Sequence, residues 1–388
     1  MKKIILGETC EKIGSGATPR GGSEVYLPQG EIALIRSQNI YNDGFKKDGL
    51  AYITEVHAKE LDNVAVEPDD ILLNITGDSV ARCCQVPDKL IPARVNQHVA
   101  IIRPRKDSLD ARYLRYYLVS PTMQDYMLML ASGGATRNAL TKGMIESFEI
   151  SAPSLPEQRA IAGILGALDD KIEVNRRMNA TLESMARAVF RQWFVEGEDV
   201  EKWDVGNVIQ DFNLTMGQSP PGETYNEDGI GIPFFQGRAD FEFRFPSKRV
   251  YCTAPTRFAN PGDTLVCVRA PVGDINMASE KCAIGRGVAA IRHKTGSRSY
   301  TYYTMQFLEE DFKQFEAGGT VFGSINKTDF QNLKVVIPPS ASVEKFEEIC
   351  YPIDRMIENN EKESRTLASL RDSLLPKLMR GEVRVSEL

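Results

Sequence analysis

The chain has 388 residues, 42% of them hydrophobic and 26% charged, and 47 Lys and Arg against 53 Asp and Glu leave a net charge of −6. This length predicts two to four domains of roughly 100–200 residues, and the composition excludes wholesale disorder. No apolar run approaches the ~18 residues of a bilayer span, and the N-terminal stretch lacks the apolar core of a signal peptide.

Seven cysteines, an odd number without C-x-x-C spacing, predict neither a disulfide framework nor a zinc site and fit a reducing cytoplasm. The three histidines, His57, His98 and His293, lie far apart and form no metal-ligand pattern. No metal and no cofactor are therefore expected on this chain.

In chain order, short apolar runs at Ile32–Ile35, Ile71–Leu73 and Val99–Ile102, punctuated by Gly, Pro, Asn and Asp, read as strands. Residues 111–130 read as helical, with apolar Leu114, Tyr117, Leu118, Met127 and Leu130. From Pro156, suited to a first helical turn, a seam with alternating steps of 4 and 3 runs through Ile161, Leu165, Leu168, Ile172, Asn175, Asn179, Leu182, Ala186, Val189 and Trp193. Residues 299–315 match 111–130, and a second seam runs through Phe346, Cys350, Ile353, Ile357, Asn360, Ser364, Leu367, Arg371, Leu374 and Leu378. Such a heptad pattern predicts a coiled coil of two helices, each roughly 35 residues long. Pro376 is expected to kink the second helix and Gly381 to end it.

The two seams are parts of an internal repeat. Shifted by 185, Leu140 meets Ile325, Lys142 meets Lys327, Asp169 meets Asp354, Ile172 meets Ile357 and Asn175 meets Asn360. Upstream the shift drifts to 189, where Val99-Ala100-x-Ile102-Arg103 meets Val288-Ala289-x-Ile291-Arg292, and to 193, where Pro68-x-Asp70-x-Leu72 meets Pro261-x-Asp263-x-Leu265. A drifting shift marks loop insertions. The expected architecture is α+β: two similar mixed domains separated by two long helices that pack as an antiparallel coiled coil, related by a pseudo-twofold axis. Polar Asn175, Asn179, Asn360 and Ser364 near the helix midpoints would fix register.

Two windows carry cations and no acid: Lys89–Lys106 and Lys281–Arg298, five cations in each. Clustered Lys and Arg suit phosphate contacts, and Arg, Asn and Gln suit base edges. The candidate DNA-contacting residues are Arg94, Gln97, Arg103, Arg105, Arg137 and Asn138 in the first domain, and Arg286, Arg292, Lys294, Arg298 and Lys327 in the second. No phosphate-binding loop, dinucleotide fingerprint, amino-methyltransferase tetrapeptide or hydrolase elbow is present. Asp169 and Asp170 fit helix-surface ion pairs better than catalysis. A noncatalytic binding protein with two readers and a spacer is the leading reading. A protein-bridging scaffold, or a fused nuclease or methyltransferase, is the alternative.

Leu155-Pro156-Glu157-Gln158-Arg159-Ala160-Ile161, followed by Leu168-Asp169-x-Lys171-Ile172 and Asn175, resembles the conserved region of specificity subunits of type I restriction-modification systems. Leu370-Arg371-x-x-Leu374-Leu375-Pro376-Lys377-Leu378-Met379-Arg380-Gly381-Glu382 is similarly typical of that family, and Arg36-Ser37-Gln38-Asn39-Ile40 and Gly133-Gly134-Ala135-Thr136-Arg137-x-x-Leu140 resemble patterns in its target recognition domains. The resemblance implies recognition domains at 1–155 and 200–340, with conserved spacer helices at 156–199 and 341–388. It implies a bipartite double-stranded DNA site and no catalytic site on this chain. The implied partners are two modification subunits, which bind S-adenosylmethionine, and restriction subunits, which use ATP and Mg2+. No membrane is implied. In the second half Ser342-Val343-Glu344-Lys345-Phe346 replaces the Pro-Glu-Gln motif and Phe234-Phe235-Gln236-Gly237 replaces the Arg-Ser-Gln-Asn pattern, departures expected to bear on whether both halves hold the modification subunits equally. Met185, Phe190 and Phe194, off the seam, are candidates for docking those subunits.

Overall fold

The structure, a computed structural model, describes residues 2–133, 138–316 and 323–385. The chain divides into two units, Met1–Glu173 with Arg365–Leu388, and Val174–Ser364. The division falls inside both long helices, Leu155–Phe194 and Ser340–Arg380, so each unit holds one mixed α/β head and a part of each helix.

In the first head a four-stranded antiparallel sheet has the order Cys10–Ser15, Val99–Pro104, Ile71–Asn74, Cys83–Gln85. Ile71–Leu73 and Val99–Ile102 of its central strands are apolar because both faces are covered. Ile71, Leu73, Ala100 and Ile102 face a core shared with the helices. Leu72, Val99 and Ile101 face a second core, built with the strands Ile32–Ile35, Ala51–Ile53 and Ala93–Val95.

The second head repeats this plan. Its sheet has the order Phe212–Met216, Val288–His293, Thr264–Cys267, Ile275–Met277. Ile102 lies opposite Ile71, and Ile291 lies opposite Thr264, so the drifting shifts of 189 and 193 both appear in the ladders. Val266, Ala289 and Ile291 face one core, and Leu265, Cys267, Val288 and Ala290 the other.

The stretch expected as one helix over 111–130 is two, Ala111–Val119 and Pro121–Ser132. Pro121 drives the preceding Ser120 to an extended ψ of 144°, which ends the first helix. Pro376, by contrast, does not end its helix, which runs on to Arg380. Gly381, at φ 70°, closes it: its N–H donates to Leu378 O at 3.1 Å and that of Glu382 to Lys377 O at 2.9 Å.

Within each unit the two helix segments run antiparallel. In the first, Asp169 pairs with Arg371, and Ile161 and Leu165 share a core with Leu374, Leu375, Leu378 and Met379. In the second, Asn175 Nδ2 donates to Ser364 Oγ at 3.3 Å, Asn360 Nδ2 donates to Asn179 Oδ1 at 2.8 Å, and Trp193 meets Phe346. Leu182, Phe346 and Ile357 are buried, while Leu168, Ile172, Val189, Ile353 and Leu367 are half-buried. The polar seam residues thus meet each other. Phe190 and Phe194 are core residues of the second unit, clustered with Tyr300, Tyr303 and Phe346, which corrects their expected role in docking partners. With Ala186 they form a second apolar stripe at four-residue spacing, turned to the head. Met185 is 53% exposed.

Candidate nucleic-acid interface

In each head the same end of the sheet gathers the loops. In the first, Gly16 N–H donates to Val99 O, Ala17 N–H to Val95 O, Asn96 N–H to Ile35 O, Ile75 N–H to His98 O and Gly77 N–H to Asn138 O, at 2.8–3.2 Å. Gly16 is required there, since a Cβ would lie 2.1 Å from Val95 O. The exposed Gln97 is held in a chain of polar side chains. The Thr18 hydroxyl donates to its Oε1, its Nε2 donates to His98 Nε2 at 3.0 Å, and His98 Nδ1–H donates to Thr76 Oγ1 at 2.7 Å.

The second head builds the same end with other side chains. Gly217 N–H donates to Val288 O at 3.0 Å, Gly285 N–H to Phe235 O at 2.8 Å and Val268 N–H to Gly287 O at 2.9 Å. A Cβ on Gly217 would lie 2.1 Å from Gly285 O. Arg286 stands two residues before its strand, as Gln97 does, and is exposed. Gln218, Gln236, Arg269 and Ser324 lie on the loops gathered at the same end, all exposed.

The expected DNA-contacting residues therefore separate. Gln97, Asn138 and Arg286 lie at the loop ends. Arg103 and Arg105 lie at the opposite end of the central strand, about 20 Å away at 3.3 Å per residue. Arg103 is bound to Asp70 and Glu67, and Arg94 to Asp62 and the carbonyl of Ala58. In the second head Arg292 binds Asp263, Lys294 donates to Gln210 O, and Arg298 pairs with Glu358 and stands over the Tyr351 ring. Lys327 is exposed at the start of the helix Lys327–Asn332, and Arg105 is exposed. Arg137 lies outside the described residues.

Sequence reading missed a cationic corner in the first head. Lys46 Nζ stands 4.0 Å and Arg82 Cζ 4.8 Å from the centre of the Tyr41 ring. Residues 41, 46 and 82 are scattered along the chain, and only the hairpin Ile40–Tyr41/Gly44–Phe45 and the turn before Cys83–Gln85 bring them together. The interleaved cations and aromatic were the only signal.

The helix-proximal side of each head is an ion-pair platform. Asp169 accepts from Arg115 Nη1 at 2.8 Å, Tyr116 Oη at 2.6 Å and Arg371 Nη1 at 2.7 Å. Burial alone would raise its carboxyl, but these three donors more than offset burial and hold it below the ordinary carboxylate range. The matching Asp354 accepts from Arg244 Nη1 at 2.9 Å and Tyr303 Oη at 3.1 Å. Gln158 accepts Asp110 N–H at 2.9 Å and donates to Ser108 O and Pro153 O. It staples the entry of the helix Ala111–Val119 to the long helix. In the second half Val343 is core, and Glu347 does the stapling by accepting three N–H groups at the start of Arg298–Phe307. The departure from Pro-Glu-Gln is thus a change of internal staple.

Among the described residues no helix is long and apolar enough to cross a membrane, and no group of three or more His, Cys, Asp or Glu is placed to hold a metal ion. Residues 1–184 and 212–368 match the family described as "Type I restriction modification DNA specificity domain". The chain is 27% identical to the type I restriction enzyme MjaIX specificity subunit of Methanocaldococcus jannaschii, over all of this chain and 94% of that one. It is 20% identical to the HindI specificity subunit of Haemophilus influenzae, over 91% of this chain and 94% of that one. The crystal structure of a type I restriction-modification S subunit from M. genitalium shares the fold, with a TM-score of 0.64 and 16% identity over 97% of this chain and 95% of that one.

Proposed function

The chain belongs to the type I restriction-modification DNA specificity family, and from that premise we propose that its two loop ends read the two halves of a bipartite duplex DNA site. It is a DNA sequence-specificity subunit and is itself noncatalytic. In this reading the chemistry belongs to partners. Two modification subunits bind S-adenosylmethionine and methylate adenine, and restriction subunits use ATP and Mg2+. The long helices set the unread gap between half-sites, and the assembly works in the cytoplasm.

The observation that carries the reading is the equivalence of Gln97 and Arg286. Two loop ends with the same backbone plan present different base-reading side chains at the same place. A glutamine amide matches the N6/N7 edge of adenine, and a guanidinium matches the O6/N7 edge of guanine. Gln97 is held for that task by Thr18 and His98, with Asn138 on another loop of the same end.

Methylome sequencing of cells carrying the wild-type chain, Gln97→Ala or Arg286→Ala tests this. A bipartite adenine motif is expected, relaxed in one half by the first variant and in the other half by the second. Motifs left intact by both variants, or a wild-type chain that directs no methylation, would defeat the reading.

A further inference from the structure

The corner around Tyr41 gathers two cations of the first head on one aromatic ring. Arg94, Arg103, Lys106, Arg112 and Arg115 are each paired with an aspartate. Lys46 and Arg82 have no ion-pair partner among the described residues and share one aromatic ring. Two cations gathered on one ring, neither with a carboxylate partner, make a local positive field that draws an anion. The ring covers part of each cation while leaving its N–H donors free.

The corner also adjoins the loop end. Asn74 N–H donates to Arg82 O at 2.8 Å, and Asn74 Nδ2 donates to Ser37 O at 2.8 Å. Asn74 in turn lies opposite Val99, just after Gln97 and His98. The second head has an ion pair here. Ala81 N–H donates to Asn74 O as Gly273 N–H donates to Cys267 O, both at 2.9 Å, so Asp274 takes the place of Arg82. There Asp274 pairs with Arg238 at 2.6 Å, beside a cavity of about 320 Å³ whose acidic lining is met by Arg238 and Lys313.

We propose that Lys46 and Arg82, held over Tyr41, clamp a DNA backbone phosphate flanking the half-site read by the first head, and that the second head has no counterpart. This rests on the DNA-reading function above. The clamp positions the head without reading sequence.

The test uses the full chain assembled with its modification subunits, and DNA affinity measured over a salt series. Lys46→Ala/Arg82→Ala is expected to weaken cognate and scrambled duplexes alike, and to lower the slope of log affinity against log salt by about 0.9, the value of one phosphate contact. The methylated motif stays the same. Arg82→Lys retains most of the slope, and an unchanged melting temperature for both variants separates this from misfolding. Asp274→Ala should not lower the slope. A wild-type assembly that binds with a slope unchanged in the double variant overturns the clamp alone. A wild-type assembly that shows no preference for a bipartite site overturns the function on which it rests. A double variant that alters the methylated motif overturns the assignment to phosphate.

Discussion

Arg103 grips Asp70 with two nitrogens, Nε at 2.7 Å from Oδ1 and Nη2 at 2.8 Å from Oδ2, and Asp70 is fully buried. Asp70 Oδ2 also accepts the N–H of Glu67 at 2.7 Å, which shapes the turn into the strand Ile71–Asn74. Arg292 holds Asp263 through Nε alone while its Nη2 donates to Pro261 O at 2.8 Å, and Asp263 accepts the N–H of Asn260 at 2.6 Å. This pair of matching cations ties the end of each central strand to the start of its neighbour.

Removing Arg103 leaves a buried carboxylate without its cation. Arg103→Ala is expected to cost about 3 kcal/mol in denaturant unfolding. Arg292→Ala should cost less, because its side chain is 37% exposed against 15% for Arg103. If either variant lowers DNA affinity without lowering stability, the arginine contacts DNA after all.

Acid should release the helix-proximal platform. The folded Asp169 carboxyl lies below its unfolded value of about 3.9, so the stability it lends is present above that pH and is lost as pH falls through the folded value. Asp169→Asn is therefore expected to melt lower than the wild type at neutral pH, with the gap closing below about pH 4. A gap that stays constant from neutral pH to about pH 2 would refute the linkage.

The seam amides should couple energetically. Asn360→Leu alone strands Asn179 Oδ1 in a buried site and is expected to cost about 1–3 kcal/mol. Adding Asn179→Leu removes both partners and should recover most of that loss. Additive losses in a double-mutant cycle, measured by urea unfolding, would show that the two amides act independently.

All seven cysteines are free and buried, and burial pushes the thiols of Cys10, Cys84, Cys267, Cys282 and Cys350 up to about 12. A colorimetric thiol reagent at neutral pH should label none rapidly in the native chain and all seven in denaturant. Fast labelling of any one in the native state would mark a local opening.

Periodicity and self-similarity made the scaffold legible. The drifting shifts reappear as ladder registers, and the polar interruptions of the two seams meet in the second unit. The candidate site was legible only in part. A basic window counts cations along the chain, whereas Asp70 and Asp263, which bind Arg103 and Arg292, lie across the ladder in acid-bearing segments. The corner of Tyr41, Lys46 and Arg82 is assembled by long-range pairing, so no window contains it. Phe190 and Phe194 misled because a helix with two apolar stripes serves both a seam and a head.

The opposite signs of Arg82 and Asp274 limit how freely such a duplicated protein can be rebuilt. A hybrid carrying the first head twice exchanges the Arg238–Asp274 ion pair for an unpaired cationic corner. Its hold on DNA would grow more sensitive to salt, and its grip on unrelated sequence would tighten, even with every base read correctly. The heads are interchangeable as folds and unequal as charges.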